Sequence, residues 1–271
     1  MSEESPKAVL TIAGFDPSSG AGITADLKTI SAHRLYGIAC ITCLTVQSTQ
    51  GVRRFEAVAP DLVRETLEAL VEDIPPAAVK VGMLGTGKVA SEVAEFLKKN
   101  RLSNVVLDPV LRSSLGGRTL LDESGLEVLR GELLPLVDII TPNIDEAAIL
   151  TGLRVTSEGE MEVACREFRR MGVKNAVITG GHLSEPVDVF MGEVAGMSQK
   201  KYRHERIATS STHGTGCAYS TAIACNLAKE IPLAGRESSA IFLAGEYVHS
   251  ALKEAYQVGK GVGPINHLHK R

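Results

Sequence analysis

Short runs rich in β-branched residues alternate with stretches of helical periodicity from one end of the chain to the other, and no other feature restricts the fold as tightly. "AVLTIAG", "IACITCLTVQS", "AAVKVGML", "NVVLDPV", "VDIITPN" and "NAVITGG" read as strands. Between them lie helical stretches. "GAGITADLKTISAHRLYG" places Ile23, Leu27, Ile30 and Leu35 near helical spacing, and "PDLVRETLEALVEDI" opens with Pro60 and Asp61. "KVASEVAEFLKKN", "SGLEVLRGELLPL", "IDEAAILTG" and "GEMEVACREFRRMG" follow. Alternation of this kind predicts an α/β three-layer sandwich, a mainly parallel central sheet with helices on both faces. "PVDVFMGEV" and "KYRHERIA" read as antiparallel additions at an edge. A helix from about Ala218 and another over "SSAIFLAGEYVHSALKEAYQVG" close the chain. With no internal repeat and no Pro/Ser-rich linker, residues 1–271 read as one domain.

Composition excludes several function classes. A net charge of −3, no tryptophan and 4% aromatic residues give no basic field or stacking surface for nucleic acid. The start "MSEESPKAVL" lacks the basic and apolar regions of a signal peptide, and the longest apolar runs are too short to span a bilayer, so a cytoplasmic protein is expected. Five cysteines, an odd number without framework spacing, point to free thiols. Cys40 and Cys43 form C-x-x-C on a strand, where positions three apart face opposite ways, and are expected in the core. The seven histidines, among them His267 and His269, show no zinc-type spacing and read as surface residues.

In an open parallel sheet the ligand site lies beyond the carboxyl ends of the strands, where helix N-termini point toward it. Those ends carry Asp16 with Ser18 to Gly22, Gln47, Gly82 with Met83, Asp108, Asn143 with Glu146, Thr179 to Gly181, and Gly214 to Cys217. Two glycine-rich stretches compete for a phosphate. "GMLGTGKV" nearly matches a P-loop, but Val89 replaces the magnesium-holding Ser/Thr and Met83 and Leu84 are bulky; it reads as an ordinary strand-to-helix turn. "HGTGCAYSTAIA" fits better: Gly214 and Gly216 can aim main-chain N–H groups at one point, with the unpaired donors of a helix start behind them. At that helix mouth the pKa of Cys217 is expected to fall toward neutrality, which suits a proton acceptor; the other reading is a small buried thiol that merely packs. Cys225, two turns further on, belongs to the core. The loop Leu111 to Asp122, rich in Gly and Ser, is expected to close over the cleft.

"TIAGFDPSSGAGITADLKT", "TVQSTQGV", "KVGMLG", "VLDPV", "TPNIDEA", "ITGG" and "HGTGCAYSTAIA", in this order over nearly the whole chain, resemble the hydroxymethylpyrimidine/phosphomethylpyrimidine kinases of thiamine biosynthesis, in the ribokinase-like superfamily. The resemblance implies ATP-dependent phosphorylation of 4-amino-5-hydroxymethyl-2-methylpyrimidine and then of its monophosphate, with magnesium (Mg2+) and a homodimeric kinase. It implies Cys217 as the catalytic base, where the wider superfamily has aspartate, beside Gly214, Thr215 and Gly216. Gln47 would read the aminopyrimidine edge, and Gly14, Asp26, Val46, Met83 and Val110 would complete the pocket. Asn143 and Glu146 would order the metal beside the phosphates, with Asp108 and Glu146 as its carboxylates. Thr179 and Gly181 would line the nucleotide side, and His213 would be an auxiliary phosphate contact or a satisfied turn residue.

Two other functions compete. Pyridoxal kinase activity belongs to a related branch, which acts on a similar hydroxymethyl heteroaromatic ring. A catalytically silent module sensing the pyrimidine or a nucleotide is opposed by the intact G-T-G-C and N-x-x-E elements. A dinucleotide-dependent oxidoreductase needs G-x-G-x-x-G after the first strand, which "GFDPSSGAG" does not supply.

Overall fold

A computed structural model of the chain describes residues 5–194, 197–235 and 237–269. Nine strands form one sheet: β1 (Ala8–Phe15), β2 (Tyr36–Ser48), β3 (Gly51–Ala57), β4 (Ala78–Val81), β5 (Val105–Leu107), β6 (Ile139–Ile140), β7 (Ala176–Gly180), β8 (Val187–Val194) and β9 (Met197–Arg203). Their order is β3-β2-β1-β4-β5-β6-β7-β8-β9. The pairs from β2 through β7 are parallel, and β3 at one edge and β8 with β9 at the other are antiparallel. Among the described residues eight α-helices flank the sheet: α1 (Gly22–Ala32), α2 (Pro60–Asp73), α3 (Gly87–Asn100), α4 (Glu123–Val128), α5 (Ile144–Thr151), α6 (Glu158–Arg170), α7 (Thr215–Ala228) and α8 (Ala240–Lys253). The expected α/β sandwich is the observed fold.

Alternation along the parallel strands builds two cores. Leu10, Ile12, Val79, Val81, Leu107 and Ile178 bury one face with Leu97 and Phe168 of α3 and α6. Val9, Ala78, Val106, Ile139 and Val177 bury the other with Ile30, Ile223 and Tyr247 of α1, α7 and α8. Between Ala78 and Val81 of β4, Lys80 takes an inward position that the pattern reserves for an apolar residue, and it is fully buried. Helix α7 is buried on nearly every side, and its small residues Ala218, Ser220, Thr221 and Ala222 let it lie close to β1, β4 and β5.

Some expectations are corrected. The hairpin strand β3 is absent from the sequence reading because "GVRRFEA" is charged; it is an edge strand whose arginines face water. The helix expected over "SGLEVLRGELLPL" breaks after Val128 into a π turn and then a 3-10 turn containing Pro135, which has no N–H to offer. Helix α7 starts at Thr215, three residues ahead of expectation. His267 is buried rather than at the surface: its Nδ1 is 3.3 Å from Thr29 Oγ1, and burial pushes its pKa down to about 4. Cys40 and Cys43 are both core thiols, facing the carbonyls of Val63 and Leu84, respectively.

Candidate active site

The phosphate-type loop is set by Gly214, the N-cap of α7, at φ 84°. A side chain there is excluded twice: the left-handed backbone disfavours it, and a Cβ would lie 1.8 Å from the Gly20 carbonyl oxygen. Around Gly216 a Cβ would meet nothing within 4 Å. The first-turn N–H groups of Gly216 and Cys217 precede any intrahelical acceptor, so they face an open approach as donors for an anion.

Cys217 is the third residue of α7 and is half-buried. Burial pushes its thiol up to about 12; Lys80 opposes this, Asp108 and Asp26 add to it, and the Gly22 N–H lowers it slightly. The thiolate expected from the helix mouth is thus corrected. In the free protein Cys217 is a thiol, because desolvation and two nearby carboxylates outweigh the helix terminus. The Asp108 carboxylate, whose charge acts on this thiol, accepts from Ser220 Oγ at 3.2 Å.

Behind Cys217 lies an ion cluster that sequence reasoning missed. Lys80 Nζ is 2.9 Å from Asp26 Oδ2 and 3.9 Å from Asp108 Oδ2. Asp26 also accepts from Thr11 Oγ1 at 2.6 Å and Thr221 Oγ1 at 2.8 Å, and Thr11 is the register partner of Lys80 across β1 and β4. Burial works against the lysine's charge, but Asp26 foremost holds its proton affinity above the ordinary lysine range. Asp26 is fully buried with these partners, so it lies under the expected pocket rather than on its wall. The one sequence signal was a lysine inside the otherwise apolar strand "AAVKVGML".

On the pyrimidine side, Met83 Sδ would be 2.9 Å from a Cβ on Gly14, so glycine is what lets the thioether lie against β1. Val110 packs on the small cluster of Cys43, Met83 and Leu120. Gln47 is partly buried, with Nε2 3.2 Å from His213 Nε2 and Oε1 3.2 Å from Thr45 Oγ1. Val46 is 45% exposed and, as the neighbour of Gln47 on a strand, points its side chain to the opposite face; any part it takes in the pocket falls to its main chain.

Asn143 caps α5: its side chain accepts from the Glu146 N–H at 2.9 Å, while Glu146 Oε2 accepts from the Asn143 N–H at 3.0 Å. Glu146 is nonetheless buried, and burial and then the Asp108 charge push its pKa up to about 8. Asp108 is likewise held above the usual carboxylate range by burial, against the pull of Lys80. Thr179 bridges Asn143 in parallel fashion, and Gly181 follows it with open space where a Cβ would stand.

The structure therefore gathers Asp108, Asn143, Glu146, Thr179, Gly181 and residues 213–217 along adjacent strand ends. The turn Gly82 to Val89 has its N–H groups engaged by Asp122 and Thr86, as a strand-to-helix turn should. The loop Leu111 to Asp122 is a flap closed by an Arg112–Thr119 bridge; its Arg118 donates to the Arg53 carbonyl of the β2–β3 hairpin at 2.5 Å, and a cavity of about 250 Å³ beside this contact is lined by Leu115, Arg118, Gln50 and Arg53. Lys201 pairs with Glu158 and Glu162, and Lys200 donates to the Gly235 carbonyl.

A parallel sheet, an open helix N-terminus at its carboxyl edge and buried acids beside it define an ATP-dependent phosphotransferase of the ribokinase-like kind. The family model for phosphomethylpyrimidine kinase matches residues 16–266, and the chain belongs to that family. It is 40% identical to a hydroxymethylpyrimidine/phosphomethylpyrimidine kinase of Aquifex aeolicus, over 93% of this chain and 96% of the relative. It is also 40% identical to the thiamine biosynthesis bifunctional protein ThiED of Geobacter sulfurreducens, over 96% of this chain but only 52% of that longer relative. Among solved structures, a pyridoxal kinase of Bacillus subtilis in complex with ADP superposes with a TM-score of 0.85 at 33% identity, over 97% of this chain and 98% of that one.

Proposed function

We propose that this chain, as one ribokinase-like domain built on a continuous sheet, uses ATP to phosphorylate the hydroxymethyl group of 4-amino-5-hydroxymethyl-2-methylpyrimidine and then the monophosphate formed, in thiamine biosynthesis. The observation that carries the reading is the convergence at the start of α7: first-turn N–H donors, the Cys217 thiol, and the Asp108 carboxylate whose charge acts on that thiol. The donors stabilise charge on the transferring phosphoryl group. Cys217 accepts the proton on the substrate hydroxyl only after its own proton has left to solvent, a loss that the Lys80 charge favours. Gln47 reads the aminopyrimidine edge, Met83 and Val110 flank the ring, and Thr179 and Gly181 line the nucleotide.

The donor set fits magnesium. Two buried carboxyl groups, with the Asp108 charge raising the proton affinity of Glu146, suit a hard cation beside the phosphates. Among the described residues no cluster of three or more His, Cys, Asp and Glu side chains forms a metal site by itself, so Asp108 and Glu146 would share the ion with nucleotide oxygens. When bound, it would neutralise phosphate charge. Exposed Leu44 and Val46 on β2 support a homodimer, and five unpaired cysteines support a cytoplasmic setting. No described helix is long and apolar enough to cross a membrane.

Similarity to the Bacillus pyridoxal kinase favours a second reading, pyridoxal phosphorylation at the same site. Turnover of the pyrimidine alcohol, its monophosphate and pyridoxal with ATP and magnesium decides between them. The proposal expects turnover of the first two; pyridoxal turnover without monophosphate turnover would overturn it.

A further inference from the structure

His213 has no task in phosphoryl transfer as described, yet its ring is held from several sides. Its main chain is pinned by His213 N–H donating to the Gly263 carbonyl at 3.0 Å. Its Nε2 lies 2.9 Å from Asp16 Oδ2 and 3.2 Å from the Gln47 carboxamide. The Asp16 carboxylate is buried and accepts four more hydrogen bonds: Ser18 N at 2.8 Å, Ser18 Oγ at 2.7 Å, Gly20 N at 3.2 Å and Ala21 N at 2.9 Å. Burial works against its ionisation, but the bonds from His213 and Ser18 hold its pKa below the ordinary carboxylate value.

Counting hydrogens then fixes the rest. One ring nitrogen has either a proton or a lone pair, so Nε2 cannot donate to Asp16 and also accept from an amide N–H. The ionised carboxylate, offering a charge-assisted bond, takes the proton. Gln47 therefore turns its carbonyl oxygen toward His213, where it shares the single Nε2 hydrogen with Asp16 in a three-centre bond, because a carboxamide N–H there would face the ring N–H. A second count agrees: the single hydroxyl hydrogen of Thr45 is used on the Phe15 carbonyl at 2.9 Å, so Thr45 Oγ1 can only accept from Gln47, which again puts the amide nitrogen on the Thr45 side.

We propose that His213, held by Asp16, is a specificity-determining positioning residue that sets which end of the Gln47 carboxamide accepts and which donates. The free valences left on Gln47 are one oxygen lone pair on the His213 side and one N–H on the Thr45 side. That order matches a heteroaromatic edge bearing an exocyclic amine beside a ring nitrogen, the amine toward His213. The inference rests on the reading that Gln47 faces the substrate ring.

The test is a kinetic cycle of His213→Ala, Gln47→Ala and the double variant, with ATP, magnesium and either the aminopyrimidine alcohol or pyridoxal. His213→Ala is expected to raise KM for the aminopyrimidine about tenfold, with smaller changes in KM for ATP and in kcat and little effect on pyridoxal. In the Gln47→Ala background the same change should add less than about twofold. His213→Asn, whose amide supplies two N–H donors, should recover part of the loss. Asp16→Asn, which removes the charge that fixes the ring proton, should reproduce the KM defect if His213→Ala does not fold. Losses that fall equally on both substrates, that fall on ATP, or that add fully to Gln47→Ala would overturn the role of His213. An unchanged pyrimidine KM in Gln47→Ala would instead remove Gln47 from the pocket, and the inference with it.

Discussion

At Cys217 two effects of opposite sign meet in one side chain. The start of α7 favours a thiolate, as it would for any thiol placed there. Desolvation and the charges of Asp108 and Asp26 disfavour it, and against the opposing Lys80 charge and Gly22 N–H they push the pKa up to about 12. The free enzyme should therefore react slowly with iodoacetamide at pH 7, with Cys217 the first cysteine modified and the rate still climbing beyond pH 9. A fast rate that levels off near neutrality would mean a resting thiolate. Cys217→Ala should abolish that modification and lose turnover by about 10²-fold or more while keeping ADP affinity. The sequence made Cys217 visible because glycines and a helix start flank it. It could not reveal the sign of the shift, since Lys80, Asp26 and Asp108 come from three other elements. Lys80 stayed hidden for a related reason: its partners are distant in sequence, and a lysine in a strand is ordinarily read as an edge or surface residue.

Helix α5 shows an element serving structure and site at once. Its Asn143–Glu146 capping box coincides with the N-x-x-E element for which the family resemblance implies a metal-ordering role. Only packing shows that the same Glu146 is buried near Asp108. The sign of the consequence is definite. A carboxyl whose folded pKa is raised from 4.5 to about 8 binds more protons folded than unfolded, so its contribution to stability declines as pH rises from about 4.5 to 8 and is flat above. The ligand-free protein should show Tm falling over that window, with each kcal/mol worth about 2–4 °C in a chain this long. Glu146→Gln keeps a capping partner but cannot ionise, so its Tm should fall less between pH 5 and 8; parallel curves for the two proteins would contradict the raised pKa. Elements whose sequence and environment agree, such as β1 and α3, were placed well. β3 and the start of α7 were not, because an edge strand need not be apolar and a glycine pair reads as loop until the helix behind it is seen.

For the molecule as a whole, the site depends on a segment that the alternating pattern leaves without assignment. After α8 the chain runs back under the carboxyl edge: Val262 N–H donates to the Thr49 carbonyl at 2.9 Å, the Gly263 carbonyl accepts from His213, and Ile265 is buried against the α7 side of the sheet. This strap ties the end of β2, two residues past Gln47, to the loop that opens α7. Gly261 makes the crossing possible, since a Cβ there would lie 1.9 Å from the Thr49 carbonyl oxygen. "GKGVGPIN" has neither strand nor helix periodicity, so its glycines read as tail until their neighbours are known. If the strap couples the two sides of the site, Val262→Pro, which deletes the bond to Thr49 without adding bulk at Gly261, should lower kcat/KM about tenfold. Amide hydrogen exchange should then quicken both at residues 47–51 and at residues 211–216, although only the first segment loses a bond directly. Faster exchange confined to residues 47–51, with kcat unchanged, would make the strap a passive cover and leave the two halves of the site to be held together by Lys80 and its carboxylates alone.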